Sequence, residues 1–459
     1  MRRIFVLLAG IALSLSLVVP SNAAPALFHP MYMLGSFAHT QPCSQYWHEK
    51  QAPNGLYYAI CGYTPSQITG AYGLTPLIRY GIDGRGTTIA IVDAFSSPYA
   101  ASDLAKYDEA HGLPKANLTV VSKASYDSGW AIEEELDLEA AHTIAPGAKL
   151  IYIGANSAYT TDLQGAILNA ISFHPNVISD SWGQAQDAEN LPAADRNRFE
   201  AIFAQAIQQK IGVFFASGDS GDNASYYAHD PNPTNGPVRE PGYPASSPQV
   251  TAVGGTVLAI GKKNNYKFET GWSTFDRTDN FYMYGSGGGS SVWWRQPSYQ
   301  RGIVPCRLQY YRDILHHPMR VTPDISMVAS PSTPFLIGVT INGKYQEGPV
   351  GGTSLASPMM AAVEALADQV GGRHGFLNPE LYAMYQTRAL RDVYWHPVTL
   401  IDTPLRVQEA WGTTLHVRRG FDDMTGLGSI NGANFIFALA SQGQALDVAP
   451  NRILPPQIL

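Results

Sequence analysis

Cysteine is scarce in this chain: there are three in 459 residues, an odd number. Cys43 and Cys61 lie close together in front of the main body and could pair, which would leave Cys306 free; the count alone does not choose. Charge is also sparse, with 15% charged residues, a net charge of −7 and a pI near 5.9. No basic excess exists to neutralise phosphates, so nucleic acid is not an expected partner. After the first twenty residues no stretch is apolar enough to cross a membrane, and no internal repeat is present. What the chain does have is 45% hydrophobic residues, enough for a large core. It is also rich in Gly (43), Pro (32) and Tyr (25), which suits a loop-rich enzyme better than a helical bundle.

The first residues read as an export signal over 1–23. Met1-Arg2-Arg3 is positive, Ile4 to Val19 is apolar, and Ser21-Asn22-Ala23 offers small residues for cleavage. An uncleaved anchor is the alternative, but the run is short for a span and Pro20 closes it. The expectation is a secreted protein, extracellular or periplasmic, free of the membrane after signal removal and acting as a monomer. Residues 24–63 hold aromatics, His and Pro without periodicity and read as an irregular extension: a strap over the main body if Cys43 pairs with Cys61, or else a disordered leader removed after export. Residues 64–440 form that body, and 441–459 a tail.

From Thr64 onward strands and helices alternate. The pattern predicts strands at Thr87 to Val92, Lys149 to Ile153, Asn176 to Ser179 and Gly212 to Ala216. Helices are predicted at Ser66 to Tyr72, Ser102 to His111 (Ser102 as N-cap), Trp130 to Thr143, Thr161 to Phe173 and Arg196 to Gln209. Continuous apolar strands between helices predict an α/β fold: a doubly wound, mostly parallel sheet with helices on both faces.

Three segments carry candidate chemistry. Gly351-Gly352-Thr353-Ser354 precedes an Ala-rich helix, so Ser354 sits at a helix N-terminus, where free N–H groups favour developing negative charge. The same position suits a plain N-cap serine. The helix from Trp130 places Glu133 and Asp137 on one face, and Glu135 and Glu139 on a roughly opposite one; His142 also points away from Glu133. Two like charges four apart repel, and they sit together most easily when they share a proton. Asp219, in Ser217-Gly218-Asp219-Ser220-Gly221, follows an apolar strand, at the end where doubly wound sheets place their sites; an Asp-Ser-Gly turn is the other reading.

Together these segments resemble the sedolisin family of serine-carboxyl peptidases, which share the subtilisin-like fold. Glu133-x-x-x-Asp137, Ser217-Gly218-Asp219-Ser220-Gly221 and Gly352-Thr353-Ser354 carry the likeness. Val177 to Gly183, Tyr243 to Pro248, Gly287 to Ser291, Pro323 to Ser326 and Leu377 to Tyr382 support it in family order. The resemblance implies protein or peptide substrates and an acid-active endopeptidase. Ser354 would be its nucleophile, Glu133 the base, Asp137 the partner of Glu133, and a protonated Asp219 the oxyanion donor. It also implies one structural calcium ion, held by the carboxylates of Asp392 and Asp422 and the carbonyls of Val393, Arg418 and Gly420. Here Tyr394-Trp395-His396-Pro397 follows Asp392 where the family has a Thr-Gly stretch, and residues 24–63 stand where relatives carry a long folded pro-domain.

Two other readings compete. A His-dependent subtilisin would share the fold and could use Asp93, but no His-Gly-Thr-His segment is present. A binding protein on a silent peptidase fold would look alike, although all four catalytic positions are filled. Trp293-Trp294 is expected in the core, with a substrate subsite as the alternative.

Overall fold

The computed structural model describes residues 26–34, 46, 61–183, 191–223, 240–276, 281–309, 317–394 and 415–446. In the Thr88–Ala94 strand, Ile89 and Ile91 point to one side of the sheet, and Ala90, Val92 and Ala94 to the other. Both sets are buried, which is why the strand reads as a continuous apolar run. Ile89 and Ile91 join a core with the Ser128–Ile144 helix (the acid helix) and the Thr353–Gly371 helix (the serine helix). Ala90, Val92 and Ala94 join Leu163 and Ile167 of Thr160–Ser172, and Phe199 and Ile202 of Ala193–Gln208.

Across the main sheet the strands run Tyr266–Gly271, Thr251–Ile260, Gly212–Ala216, Val177–Asp180, Thr88–Ala94, Lys149–Ala155 and Asn117–Val121, with Ile325–Val328 also paired to Thr251–Ile260. Every pairing is parallel except that of Tyr266–Gly271. The expected doubly wound sheet with helices on both faces is therefore present. From Thr88–Ala94 the chain first fills one side of the sheet and then crosses to the other. Such a reversal leaves a crevice at the carboxyl ends of the central strands.

Local departures have simple causes. Asn117–Val121 went unpredicted because it is an edge strand with three exposed residues among its five and no apolar run. Ser102 is not the N-cap of its helix; Tyr99 is, and the Ser102 hydroxyl donates back to the Tyr99 carbonyl (2.8 Å). The last helix, Gly432–Leu446, runs past the expected tail boundary at Ser441. Cys61 is disulfide-bonded and Cys306 is a free, exposed thiol, while Cys43 lies outside the described residues. Trp293 packs half-buried on the rim of the second core, with Arg196 over its ring at 4.1 Å.

Candidate active site

Asp127 starts the acid helix by accepting the N–H groups of Gly129 (2.9 Å) and Trp130 (3.0 Å). Every residue from Trp130 to Ile144 is then buried, so this acidic helix has no solvated face. Its carboxyls divide into two kinds. Glu134 accepts the Ser97 N–H (2.6 Å) and Glu139 the Gly338 N–H (3.0 Å). Glu133, Glu135 and Asp137 accept no hydrogen bond of ordinary geometry on either oxygen, and of these Glu133 and Asp137 share a face. Burial pushes Glu133 and Asp137 well above the usual carboxylate range, and the nearby charge of Asp93 pushes them further. The nearby Ser354 hydroxyl opposes this at Glu133, and Ser181 opposes it at Asp137. His142 lies away from the cluster, 2.8 Å from the Pro114 carbonyl.

Two further acids complete the group. Asp93 and Asp180, at the carboxyl ends of adjacent strands, are fully buried and also lack partners on either oxygen. Burial pushes Asp93 up to about 8 and Asp180 well above its usual value. Asp180 was not singled out from the sequence, and Asp93 only as the acid of a His-dependent enzyme. The signal that marked Asp219, an acid closing an apolar strand, was present at both. Trp182 roofs the Thr88–Ala94 strand, its indole N–H donating to the Val92 carbonyl (2.8 Å).

Ser354 is the second residue of the serine helix, after Thr353 and the N-cap Gly352, whose φ of 113° disfavours any residue with a side chain. A Cβ on Gly352 would also come within 2.8 Å of Asp219 Oδ2. The Ser354 hydroxyl donates to the Ser181 carbonyl (3.2 Å) and lies against Glu133, whose ionised form it favours. Asp219 is held on one side only: Oδ1 accepts both the N–H and the hydroxyl of Thr353 (2.8 Å each). Oδ2 is buried without a partner, and burial pushes the group up to about 7. Asp219 is therefore neutral in acid, and only a neutral carboxyl can donate a hydrogen bond. The structure places Glu133, Asp137, Ser354 and Asp219 in one buried neighbourhood.

The cleft beside these groups holds the chain's own N-terminal segment. His29–Pro30 pairs antiparallel with Trp182–Gly183, and Met33–Leu34 pairs antiparallel with Val350 and Gly351. Between the two pairings, the Met31 N–H donates to the Ser181 carbonyl and the Met31 carbonyl accepts the Ser354 N–H, each at 3.1 Å. Phe28 anchors the segment, packed edge-on against Trp182 at 5.0 Å and Phe199 at 6.0 Å.

The five residues expected to hold a metal cluster in one loop region. Asp392 accepts the Gly420 N–H (3.0 Å), and Asp422 accepts the N–H groups of Arg418 (2.9 Å), Met424 (3.0 Å) and Thr425 (2.7 Å). The Thr425 hydroxyl reaches both Asp422 (3.0 Å) and the Val393 carbonyl (3.5 Å). The donors are oxygens only, a set that suits calcium. Among the described residues no three His, Cys, Asp or Glu side chains gather to hold a metal ion.

This geometry defines a subtilisin-like α/β fold with a serine and buried carboxyls at the carboxyl end of its sheet. The sequence profile of the subtilase family matches residues 88–396. The chain is 31% identical to kumamolisin of Bacillus sp. (strain MN-32), over 84% of this chain and 66% of that protein. It is 28% identical to tripeptidyl-peptidase sed4 of Aspergillus fumigatus, over 63% and 50%. A crystal structure of Pseudomonas sedolisin, described as a serine-carboxyl proteinase complexed with pseudo-iodotyrostatin, superposes with a TM-score of 0.68 at 26% identity, covering 84% of this chain and 99% of that one. The chain belongs to the subtilase family and, within it, to the sedolisin group. It spans between half and two thirds of the length of these two curated relatives.

Proposed function

We propose that this protein is a secreted, acid-active serine-carboxyl endopeptidase. The observation that carries the reading is Asp219: one oxygen is fixed by Thr353, the other is buried and unpartnered, and it borders the same space beside Gly352 as the Met31 carbonyl that takes the Ser354 N–H. A protonated Oδ2 and the Ser354 N–H together make an oxyanion hole. Ser354 attacks the peptide carbonyl and Glu133 takes its proton. Asp137 and Asp93 share protons with Glu133, so the cluster titrates as a unit. The Ser354 hydroxyl favours placing the remaining negative charge on Glu133. Glu133 then returns the proton to the leaving amine.

Endopeptidase rather than tripeptidyl-peptidase action is supported by the length of the cleft. Six described residues, Ala26 to Met31, lead up to the carbonyl at Ser354, with Phe28 N–H on the Ala158 carbonyl (2.9 Å) and the Ala26 carbonyl on the Thr160 N–H (3.0 Å). A site closed after three residues would not admit them. Hydrolysis of a denatured protein at about pH 4, compared with Ser354→Ala, tests this: internal cuts with loss of roughly 10⁶-fold in the variant are expected. Equal rates, or products that are all tripeptides, would refute it.

A structural calcium ion at the Asp392–Asp422 loop belongs to the same proposal. Asp392 and Asp422 would supply carboxylates, and Val393, Arg418 and Gly420 carbonyls. Chelation at about pH 6 should lower the melting temperature in the wild type and not in Asp422→Ala, by mass action on the folded state. A wild-type melt unmoved by chelator would count against the ion.

A further inference from the structure

The cleft runs on past its last paired residue, and we propose that it ends in a distal subsite for extended peptide substrates, taking the seventh to ninth residues before the cut bond and preferring an apolar and an acidic side chain among them. The inference rests on the catalytic reading above. Ala26 is the sixth residue back along the cleft, counting from Met31 at the Ser354 N–H. Its carbonyl accepts both the N–H (3.0 Å) and the hydroxyl (2.9 Å) of Thr160, and Leu27 bridges antiparallel to Tyr159. In an antiparallel pairing the two chains run in opposite directions. A peptide continuing upstream of that point therefore meets Thr161 and Asp162, in the first turn of the Thr160–Ser172 helix.

Thr161 and Asp162 also form part of the wall of a hollow of about 600 Å³, a size usual for ligand sites. Opposite them stand Val120, on the edge strand of the main sheet, and Lys123 just beyond that strand. Along the helix the wall is Asp162, Gly165 and Asn169, three and four residues apart and so on one face. A glycine inside a helix costs stability relative to alanine. Gly165 is exposed, and no neighbouring group lies within 4 Å of the place a Cβ would take. Packing does not demand a glycine there, whereas a large side chain would fill the hollow. The wall also sets the chemistry of the guest. Val120 is 40% exposed and offers apolar surface. Of the two charged residues in the wall, Asp162 is engaged, accepting the Ser157 hydroxyl (2.6 Å). Lys123 is exposed and pairs with no carboxylate among the described residues. The hollow therefore suits an apolar side chain laid on Val120 and an acidic one reaching Lys123.

Two synthetic peptides with the same residues around the cut bond test this at about pH 5, where a glutamate side chain is largely ionised, with mass spectrometry to show that both are cut at that bond. One has six residues before the bond; the other has nine, with Leu and Glu among the three added. Wild type should cut the longer peptide with kcat/KM about tenfold higher, the gain expected from burying one apolar side chain. Gly165→Trp should erase that gain and leave the shorter peptide's kcat/KM unchanged, which also shows that the variant is folded. Gly165→Ala, which adds one methyl group, should keep most of the gain. Lys123→Glu should reverse the preference between the longer peptide and a copy with Lys in place of Glu. The proposal is overturned by a gain that survives Gly165→Trp, or by a preference for Glu that survives Lys123→Glu. If wild type cuts both lengths equally well, the catalytic reading stands and the distal subsite falls. If it cuts neither, the catalytic reading falls and the subsite with it.

Discussion

Buried carboxyls meet opposite treatment in two regions of this molecule, around Asp324 and around Glu133. Asp324 is fully satisfied: Arg320 forks onto both its oxygens (2.8 and 2.7 Å), and Tyr382 hydroxyl (2.8 Å), Ala252 N–H (2.9 Å) and the Asn378 amide (3.2 Å) add to them. Glu133, Asp137, Asp93 and Asp180 are equally buried and accept no such bond on either oxygen. Burying a charge without partners is costly, so such groups keep their protons instead. Asp324 is a joint. It ties the Thr251–Ile260 strand, through the Ala252 N–H, to the Asn378–Ala383 helix, through Asn378 and Tyr382. The four acids form one mutually repelling cluster at the carboxyl end of the sheet, and Glu133 is the member that lies against Ser354.

The largest effect should come from breaking the joint. Arg320→Leu leaves Asp324 buried without its counter-charge, at a cost of about 3–5 kcal/mol. Asp93→Asn should do the reverse near neutrality. Asp93 is pushed up to about 8, so the folded chain holds a proton that the unfolded chain releases above about pH 4. Stability therefore falls as pH rises from about 4 to about 8. Melting curves should show wild type losing stability across that window, Asp93→Asn losing less, and Arg320→Leu melting far lower. A wild type that gains stability over the same window would contradict the account.

Next in size is the oxyanion donor. Asp219→Ala should lose about 3 kcal/mol of transition-state stabilisation, a hundredfold or more in kcat. Asp219→Asn should lose less, since its amide still donates. Equal, wild-type-like rates in both would reduce Asp219 to a turn residue.

How much of this was legible follows from what each feature depends on. The alternating apolar strands and helices announced the parallel sheet, because both faces of Thr88–Ala94 are covered. Ser354 could be read equally as a cap or a nucleophile, since its role depends on Glu133 and Asp219, far away in sequence. Asp180 escaped notice because its neighbours in the cluster come from other elements. The segment at 26–34 has no periodicity to read: its strands are two residues long, and they take their shape from Trp182–Gly183 and Val350–Gly351. Asp324 was seen only as part of a family segment, and nothing local reveals that Arg320 would close on it.

The central claim, that the acids around Ser354 work while holding protons, is tested most directly by the pH dependence of kcat/KM on a peptide substrate. Asp219 is pushed up to about 7 by burial, and it donates only while protonated. The rate should peak in acid and fall as pH rises through about 7. A profile that peaks at about 7 or above would contradict the account.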